Sequence, residues 1–338
     1  MSRPRKTEAR ALDGLAARLL QAVGQSGPSR DTGAFDTDRF IALYREAIET
    51  MESRVAKGDG HAPMTAQEMR LLCRCVLSCA TLEEAIRCAA DFCALLYPRA
   101  GVLALEIHDN TAIFKMDSLR RKPSPASCLV DLTGLYSYLQ LFSWLIGEPL
   151  QPSAVQLGYP QREHAAPFTG LFNAPVYAGA EQYGFEFDAA LLRRPLLRRP
   201  AELAEFLEGF PYRVIGPAPS APPLANQVLA CLEAALAQGQ PVPEPAALAD
   251  LLGASAATLR RRLRAEGVSY SVLREQCIRE AAERYLRHTR WDVETIATRL
   301  GFSDGGAFRR AFRRWTGAAP SDLRRTQPAD VSGGRSDI

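Results

Sequence analysis

The sequence predicts an α+β domain over residues 37–215, followed by an all-α domain over residues 224–326 with two helix-turn-helix motifs joined by a long helix. Three observations carry this. Helical and strand-like hydrophobic periods intermingle before residue 215, and only helical ones occur after residue 223. Between them Gly216–Pro223, GPAPSAPP, is a proline-rich linker that continues neither helix nor sheet. After it, a pattern of short helix, glycine and arginine-bearing helix is written twice.

Taken in order, residues 1–36 mix basic residues with the linker-like stretch QSGPSRDTG, and only Leu12–Val23 has a helical period. Folded structure is expected to begin with a helix over Thr37–Arg54, capped by Asp36 or Thr37, with Phe40, Leu43, Tyr44 and Ile48 on one face. Met64–Tyr97 gives two more helices. The first carries Met69, Leu72 and Val76. The second carries Leu82, Ala85, Ile86, Phe92 and Leu96, and Thr81 with Glu84 has the spacing of a capping box at its start. Gly101–His108 and Ala112–Asp117 alternate around an Asp109-Asn110 turn, which signals a hairpin. Leu129–Ile146 returns to helix. Ala154–Gly158, Ala174–Gly179 and Tyr183–Asp188 read as three further strands of antiparallel type, and Leu203–Phe210 as a closing helix.

Beyond the linker, Leu224–Ala237 places Leu224, Val228, Leu232 and Leu236 on one stripe, and Pro243–Leu252 is a short helix ended by Gly253. Ser271–His288 is a long helix expected to bury Leu273, Cys277, Ala281, Tyr285 and Leu286 and to brace what flanks it. The stretch that defines the domain is Asp292–Gly317. Val293, Ile296, Ala297 and Leu300 share a helix face, and Gly301 follows where the chain must turn at positive φ. Phe302 plugs the corner, Ser303 or Asp304 caps the next helix, and that helix buries Phe308, Phe312 and Trp315. Arg309, Arg310, Arg313 and Arg314 lie elsewhere on its circumference. Two short helices at a steep angle, the second rich in arginine, form a unit able to enter a major groove. The same unit begins at Pro243, where Leu248, Ala249, Leu252, Gly253 and Ser255 match Ile296, Ala297, Leu300, Gly301 and Ser303. With one extra residue in the later copy, Leu259 and Leu263 match Phe308 and Phe312.

Charge agrees with this reading. Residues 241–326 hold 16 arginines, no lysine and 10 acids, an excess of six, while the whole chain of 338 residues has a net charge of +3. Positive charge gathered at one end is the footprint of a nucleic-acid-binding module. No apolar run reaches membrane-spanning length, and the basic start MSRPRKTEAR leads into a segment broken by Asp13 and Arg18 without a cleavage site, so a cytoplasmic protein is expected. The eight cysteines, five of them between Cys73 and Cys93, match no zinc spacing and read as reduced core residues. Cys75 and Cys79, one helical turn apart, leave a thiol sensor as an alternative. His61, His108, His164 and His288 are scattered, no G-x-S-x-G occurs, and Gly305-Gly306 lacks the strand and lysine of a phosphate loop. Catalysis, a cofactor and a metal are not expected.

The arrangement resembles the AraC/XylS family of bacterial transcription regulators. The likeness is strongest over Ile296–Arg324, where Gly301, Phe302, Ser303, Phe308, Arg310, Phe312, Gly317, Pro320 and Arg324 stand where the family's motif has them. It weakens back to Leu224. The segment LFSWLIGEPLQPSAVQLGYP with LFNAPVYAGAEQYGFEFDAALLRRPL resembles the arabinose-binding N-terminal type, which implies effector sensing or dimerisation. The resemblance implies double-stranded DNA, a small-molecule effector, RNA polymerase and a second copy of the chain as partners. A regulator that senses no small molecule is the rival reading. Gly305-Gly306 departs from the motif, and two glycines each cost about 1 kcal/mol in a helix relative to alanine. Either the second recognition helix begins after them or that head reads DNA less stringently.

By correspondence, Ala257, Arg260 and Arg261 face the groove in the first head, and Gly306, Arg309 and Arg310 in the second. Arginine there can grip guanine with two hydrogen bonds, whereas Ala257 can touch only a thymine methyl. Ser255, Thr258, Arg262, Arg264, Ser303, Arg313, Arg314 and Arg325 are phosphate candidates. For these arginines the competing fate is a salt bridge to an acid such as Glu266 or Asp322. Phe114, Tyr136, Tyr138, Phe142, Trp144 and Tyr177 are candidates for an effector pocket, against the commoner fate of core packing.

Overall fold

The computed structural model describes residues 42, 44–50, 52–53, 64–117, 125–159, 172–208, 210 and 221–325. The expected helix around Leu12–Val23, most of the 216–223 linker and the 327–338 tail lie outside them, as do Phe40 and Leu43. The chain divides into two compact units, residues 1–222 and 223–338.

In the first unit, helix α1 (residues 44–50) buries Tyr44, Ala47 and Ile48. Helix α2 (Ala66–Val76) starts on a reciprocal box: Glu68 N–H donates to Thr65 Oγ1 (3.2 Å) and Thr65 N–H to Glu68 Oε2 (2.7 Å). Helix α3 (Leu82–Leu95) has only half of the expected box. Thr81 caps Glu84 N–H, but the Glu84 carboxylate accepts from Ala80 instead, one residue outside the cap (2.9 Å). Strands β1 (Val102–His108) and β2 (Thr111–Asp117) form the expected hairpin, with His108 opposite Thr111 and Asp109 at φ +50°.

Helix α4 (Pro125–Ile146) is buried almost all round, consistent with its lack of a polar face. It is followed by β3 (Ala154–Leu157), β4 (Val176–Ala178), β5 (Tyr183–Asp188) and the short helix α5 (Leu203–Leu207). The five strands pair in the order β1-β2-β5-β3-β4. The sheet is not wholly antiparallel as expected: β3 pairs antiparallel with β5 on one side and parallel with β4 on the other. Alternation sends Ala112, Phe114, Met116, Phe185 and Phe187 to the core. The other face carries polar pairs, Lys115 with Glu106 (2.7 Å) and Gln156 with Glu186 (2.9 Å).

Among its described residues the second unit has helices alone as regular elements: α6 (Leu224–Ala237), α7 (Pro245–Leu251), α8 (Ala256–Ala265), α9 (Tyr270–His288), α10 (Val293–Arg299), α11 (Gly305–Thr316) and α12 (Pro320–Arg325). Helix α9 buries Leu273, Cys277, Ile278, Ala281, Ala282 and Leu286, packs against α6, α10, α11 and α12, and leaves Tyr285 half-buried with its hydroxyl on Leu236 O (3.3 Å). Its first residue, Tyr270, donates to Pro243 O just ahead of α7 (2.6 Å), so one rigid helix is tied to both helix pairs.

Candidate nucleic-acid interface

The two helix pairs make the same turn with the same bonds. After α7, Leu252 N–H donates to Leu248 O (3.0 Å) and Ala254 N–H to Ala249 O (2.8 Å), across Gly253 at φ +66°. After α10, Leu300 N–H donates to Ile296 O (3.0 Å) and Phe302 N–H to Ala297 O (2.9 Å), across Gly301 at φ +79°. This is the glycine-terminated helix end that an L side chain would strain. Leu248, Ala249, Leu259 and Leu263 are buried in the first pair, and Ile296, Ala297, Leu300, Phe308 and Phe312 in the second. Phe302 does fill the second corner, 5.5 Å from the Phe308 ring and 6.0 Å from Trp315, which is half-buried rather than buried.

The helix starts differ. Ser255 caps α8, accepting from Thr258 N–H (3.2 Å). In the second pair the cap is Asp304, not Ser303: Ala307 N–H donates to Asp304 Oδ1 (2.7 Å) and the Ser303 hydroxyl to Oδ2 (3.0 Å). The extra residue of the later copy therefore falls before the cap, and Asp304 stands in the place of Ser255. Helix α11 begins at Gly305, so the glycine pair does not delay it. Gly305 N–H donates to Glu294 Oε2 (2.8 Å), and a Cβ on Gly305 would collide with the same carboxylate. The glycine thus admits an acid from α10 against the start of α11, where negative charge is favoured. The Ala307 N–H, then the Ser303 hydroxyl, hold the Asp304 carboxyl below the usual aspartate range, and Gly306 N–H and the Arg310 charge add to this.

Opposite the buried stripes, α8 exposes Ala257, Arg260, Arg261, Arg262 and Arg264, with Thr258 half-buried. Helix α11 exposes Arg309, Arg310, Arg313 and Arg314, with Gly306 half-buried among them; Ser303 is exposed just before it. Arg325 belongs to α12, but its side chain is outside the described residues. The acids expected to compete are engaged elsewhere. Glu266 accepts from Leu224 and Ala225 N–H at the start of α6 (2.8 and 2.9 Å), and Asp322 from Ala319 N–H (3.1 Å). Among the described residues only Arg314 of these arginines forms an ion pair, an exposed one with Glu275 (3.4 Å), worth little in water. Sequence reasoning missed the parts played by Glu294 and Glu275, because each acts across the fold from another helix. Arg324, known only as a motif position, donates to Trp291 O, while Arg299 stacks over the Trp291 ring at 4.2 Å.

The six aromatic candidates of the first unit are brought together only in part. Phe114 lies 5.2 Å from Tyr138 and from Phe142, within the buried core. Tyr136 meets Phe172, Trp144 stacks on Phe206, and Tyr177 is 60% exposed on the far side of the sheet. Burial pushes the Cys73 and Cys79 thiols up to about 12 and raises Cys88 and Cys93, which disfavours the thiolate that redox sensing needs. Among the described residues no group of His, Cys, Asp and Glu could hold a metal ion, and no helix is long and apolar enough to cross a membrane.

Two glycine-turned helix pairs with arginine outward define a helix-turn-helix DNA-binding protein. A family profile described as the arabinose-binding domain of AraC transcription regulators matches residues 16–196, and one described as a helix-turn-helix domain matches residues 248–326. The chain belongs to the AraC/XylS family and is a DNA-binding transcriptional regulator. It is 29% identical to an ornithine utilization regulator of Pseudomonas aeruginosa over 250 residues, which cover 74% of this chain and 72% of that one. It is 33% identical over 159 residues to the regulator VirS of Mycobacterium tuberculosis, spanning 47% of this chain and 46% of that one. The crystal structure of the regulator CdpR from Pseudomonas aeruginosa aligns with 96% of this chain and all of its own, at 23% identity and a TM-score of 0.31.

Proposed function

We propose that the regulator reads its operator with both heads, α8 and α11 entering successive major grooves about 34 Å apart on one face of the duplex. Helix α9, 19 residues long and so about 28 Å, is the strut between them. Arg260 and Arg261 in the first head, with Arg309 and Arg310 in the second, meet base edges; Ala257 offers a methyl contact and Gly306 only backbone. Ser255, Thr258, Arg262, Arg264, Arg313, Arg314 and Arg325 hold phosphates. Ser303 is the weakest of the phosphate set, since its hydroxyl is spent on a carboxylate. The observation that carries this reading is the outward stripe of guanidinium groups on each second helix, which among the described residues have no ion-pair partner apart from that of Arg314.

Gel-shift titrations at several salt concentrations test it. Arg310→Ala should weaken the specific site by about tenfold or more while sparing random DNA, from the value of a lost guanine contact. Arg314→Ala should weaken both alike and lower the salt slope by about 1. Equal losses from both variants would remove the base-reading assignment.

The first unit, in this reading, senses a small molecule and pairs two copies of the chain, and the bound dimer acts on RNA polymerase. The family profile's name and the ornithine relative support a small nutrient as effector. A metabolite that raises the melting temperature of the full chain supports sensing, because ligands of the native state stabilise it.

A further inference from the structure

We propose that Asp304 and Gly306 aim Arg310, so that the first turn of α11 sets the base preference of the second head; this rests on Arg310 meeting a base edge. Residues four apart on a helix lie one above the other, and side chains lean toward the N-terminus, so Arg310 reaches back over Gly306. A Cβ on Gly306 would stand 3.5 Å from Arg310 Nη1 and 2.9 Å from Asp304 Oδ1. The guanidinium therefore crosses bare backbone and faces the capping carboxylate over it. A side chain at position 306 would force the Asp304 carboxylate to shift and would lie in contact with the guanidinium, altering how the two face each other.

This geometry leaves the chemistry of base reading intact. A guanidinium has five N–H donors, so an edge turned toward Asp304 leaves others for guanine O6 and N7. An arginine drawn toward Asp304 by charge beforehand, though without a direct ion pair, loses less rotamer freedom on binding than a free one. The carboxylate also discourages the guanidinium from swinging to a neighbouring position, and it repels phosphate, so it favours selectivity over gross affinity. The first head has neither feature. Ala257 fills the place of Gly306 and Ser255 that of Asp304, so nothing directs Arg261 in the same way.

The test uses the full chain, an operator selected from randomised duplexes, and the variants Asp304→Ser, Gly306→Ala, Arg310→Ala and Asp304→Ser with Arg310→Ala. Serine remains a strong helix cap, so Asp304→Ser removes the charge while keeping the helix start. Asp304→Ser and Gly306→Ala should each lower the ratio of operator to random-DNA affinity by about threefold or more, a part of one base contact, with random-DNA affinity unchanged or raised. In the Arg310→Ala background, Asp304→Ser should lower that ratio no further. Equal loss on operator and random DNA, or an Asp304→Ser effect that persists without Arg310, would overturn the proposal. Base preferences unchanged in Arg310→Ala would instead overturn the base reading beneath it, and the proposal with it.

Discussion

In the first reading head the recognition helix starts from Ser255, and Ala246 occupies the facing position on the helix before it; in the second, Asp304 and Glu294 hold those places. The turn between the helices is the same to the hydrogen bond, through Gly253 in one and Gly301 in the other. Backbone geometry was kept while charge at the helix start was not. One head presents an uncharged helix N-terminus beside its arginines, and the other presents two carboxylates. The corner also differs, since Phe302 fills it in the second head and Ala254 occupies it in the first.

The largest effect that can break this comparison concerns the cores. Phe308→Ala removes ring contacts to Phe302 and Phe312 and should cost about 3–5 kcal/mol, against about 2–5 kcal/mol for Leu259→Ala. Urea denaturation measures both, and a smaller loss for the phenylalanine would mean that the second head closes around the hole.

Caps come next. Ser255→Ala should cost about 0.5–2 kcal/mol at neutral pH, and Asp304→Ala should destabilise the chain there too. Only the second cost depends on acid. The Asp304 carboxyl is lowered in the folded chain, so its contribution is complete above the ordinary aspartate value of 3.8 and fades as pH falls through the lower folded value. Stability curves taken between neutral and strongly acidic pH should therefore converge for wild type and Asp304→Ala, and stay apart for wild type and Ser255→Ala. Parallel curves for both would contradict the electrostatic difference.

Smallest is Gly305→Ala. Alanine gains about 1 kcal/mol of helix propensity and loses a comparable amount by displacing Glu294, leaving little net change. Combined with Glu294→Ala, the same substitution should become stabilising by up to about 1 kcal/mol in thermal unfolding. No gain in that background would show that Glu294 is not what glycine admits.

Much of the architecture was legible because it is local. Leu224–Ala237 declares itself by its stripe, the hairpin by Asp109-Asn110, and the paired heads by glycine and apolar spacing. What was not legible depends on neighbours distant in sequence. The parallel pairing of β3 with β4, Val155 opposite Val176, is a register that no hydrophobic period records. Ser303 and Asp304 are both good caps, and only the fold decides between them. The reciprocal box at Thr65 and Glu68 was written in the same spacing as Thr81 and Glu84, and the sequence offers no means of telling which acid turns back to its own cap. At the site, the arginine positions could be named from the repeat, whereas the partners of Glu266, Asp322 and Arg314 could not.

Arg324 donating to the Trp291 carbonyl joins residues 33 apart and closes the second head upon itself. A stop codon or a protease cut shortly before that arginine would spare all four helices of the two motifs yet undo the clasp that seats α10. Trimming the chain there would loosen the second helix pair while leaving the contacts within the first intact.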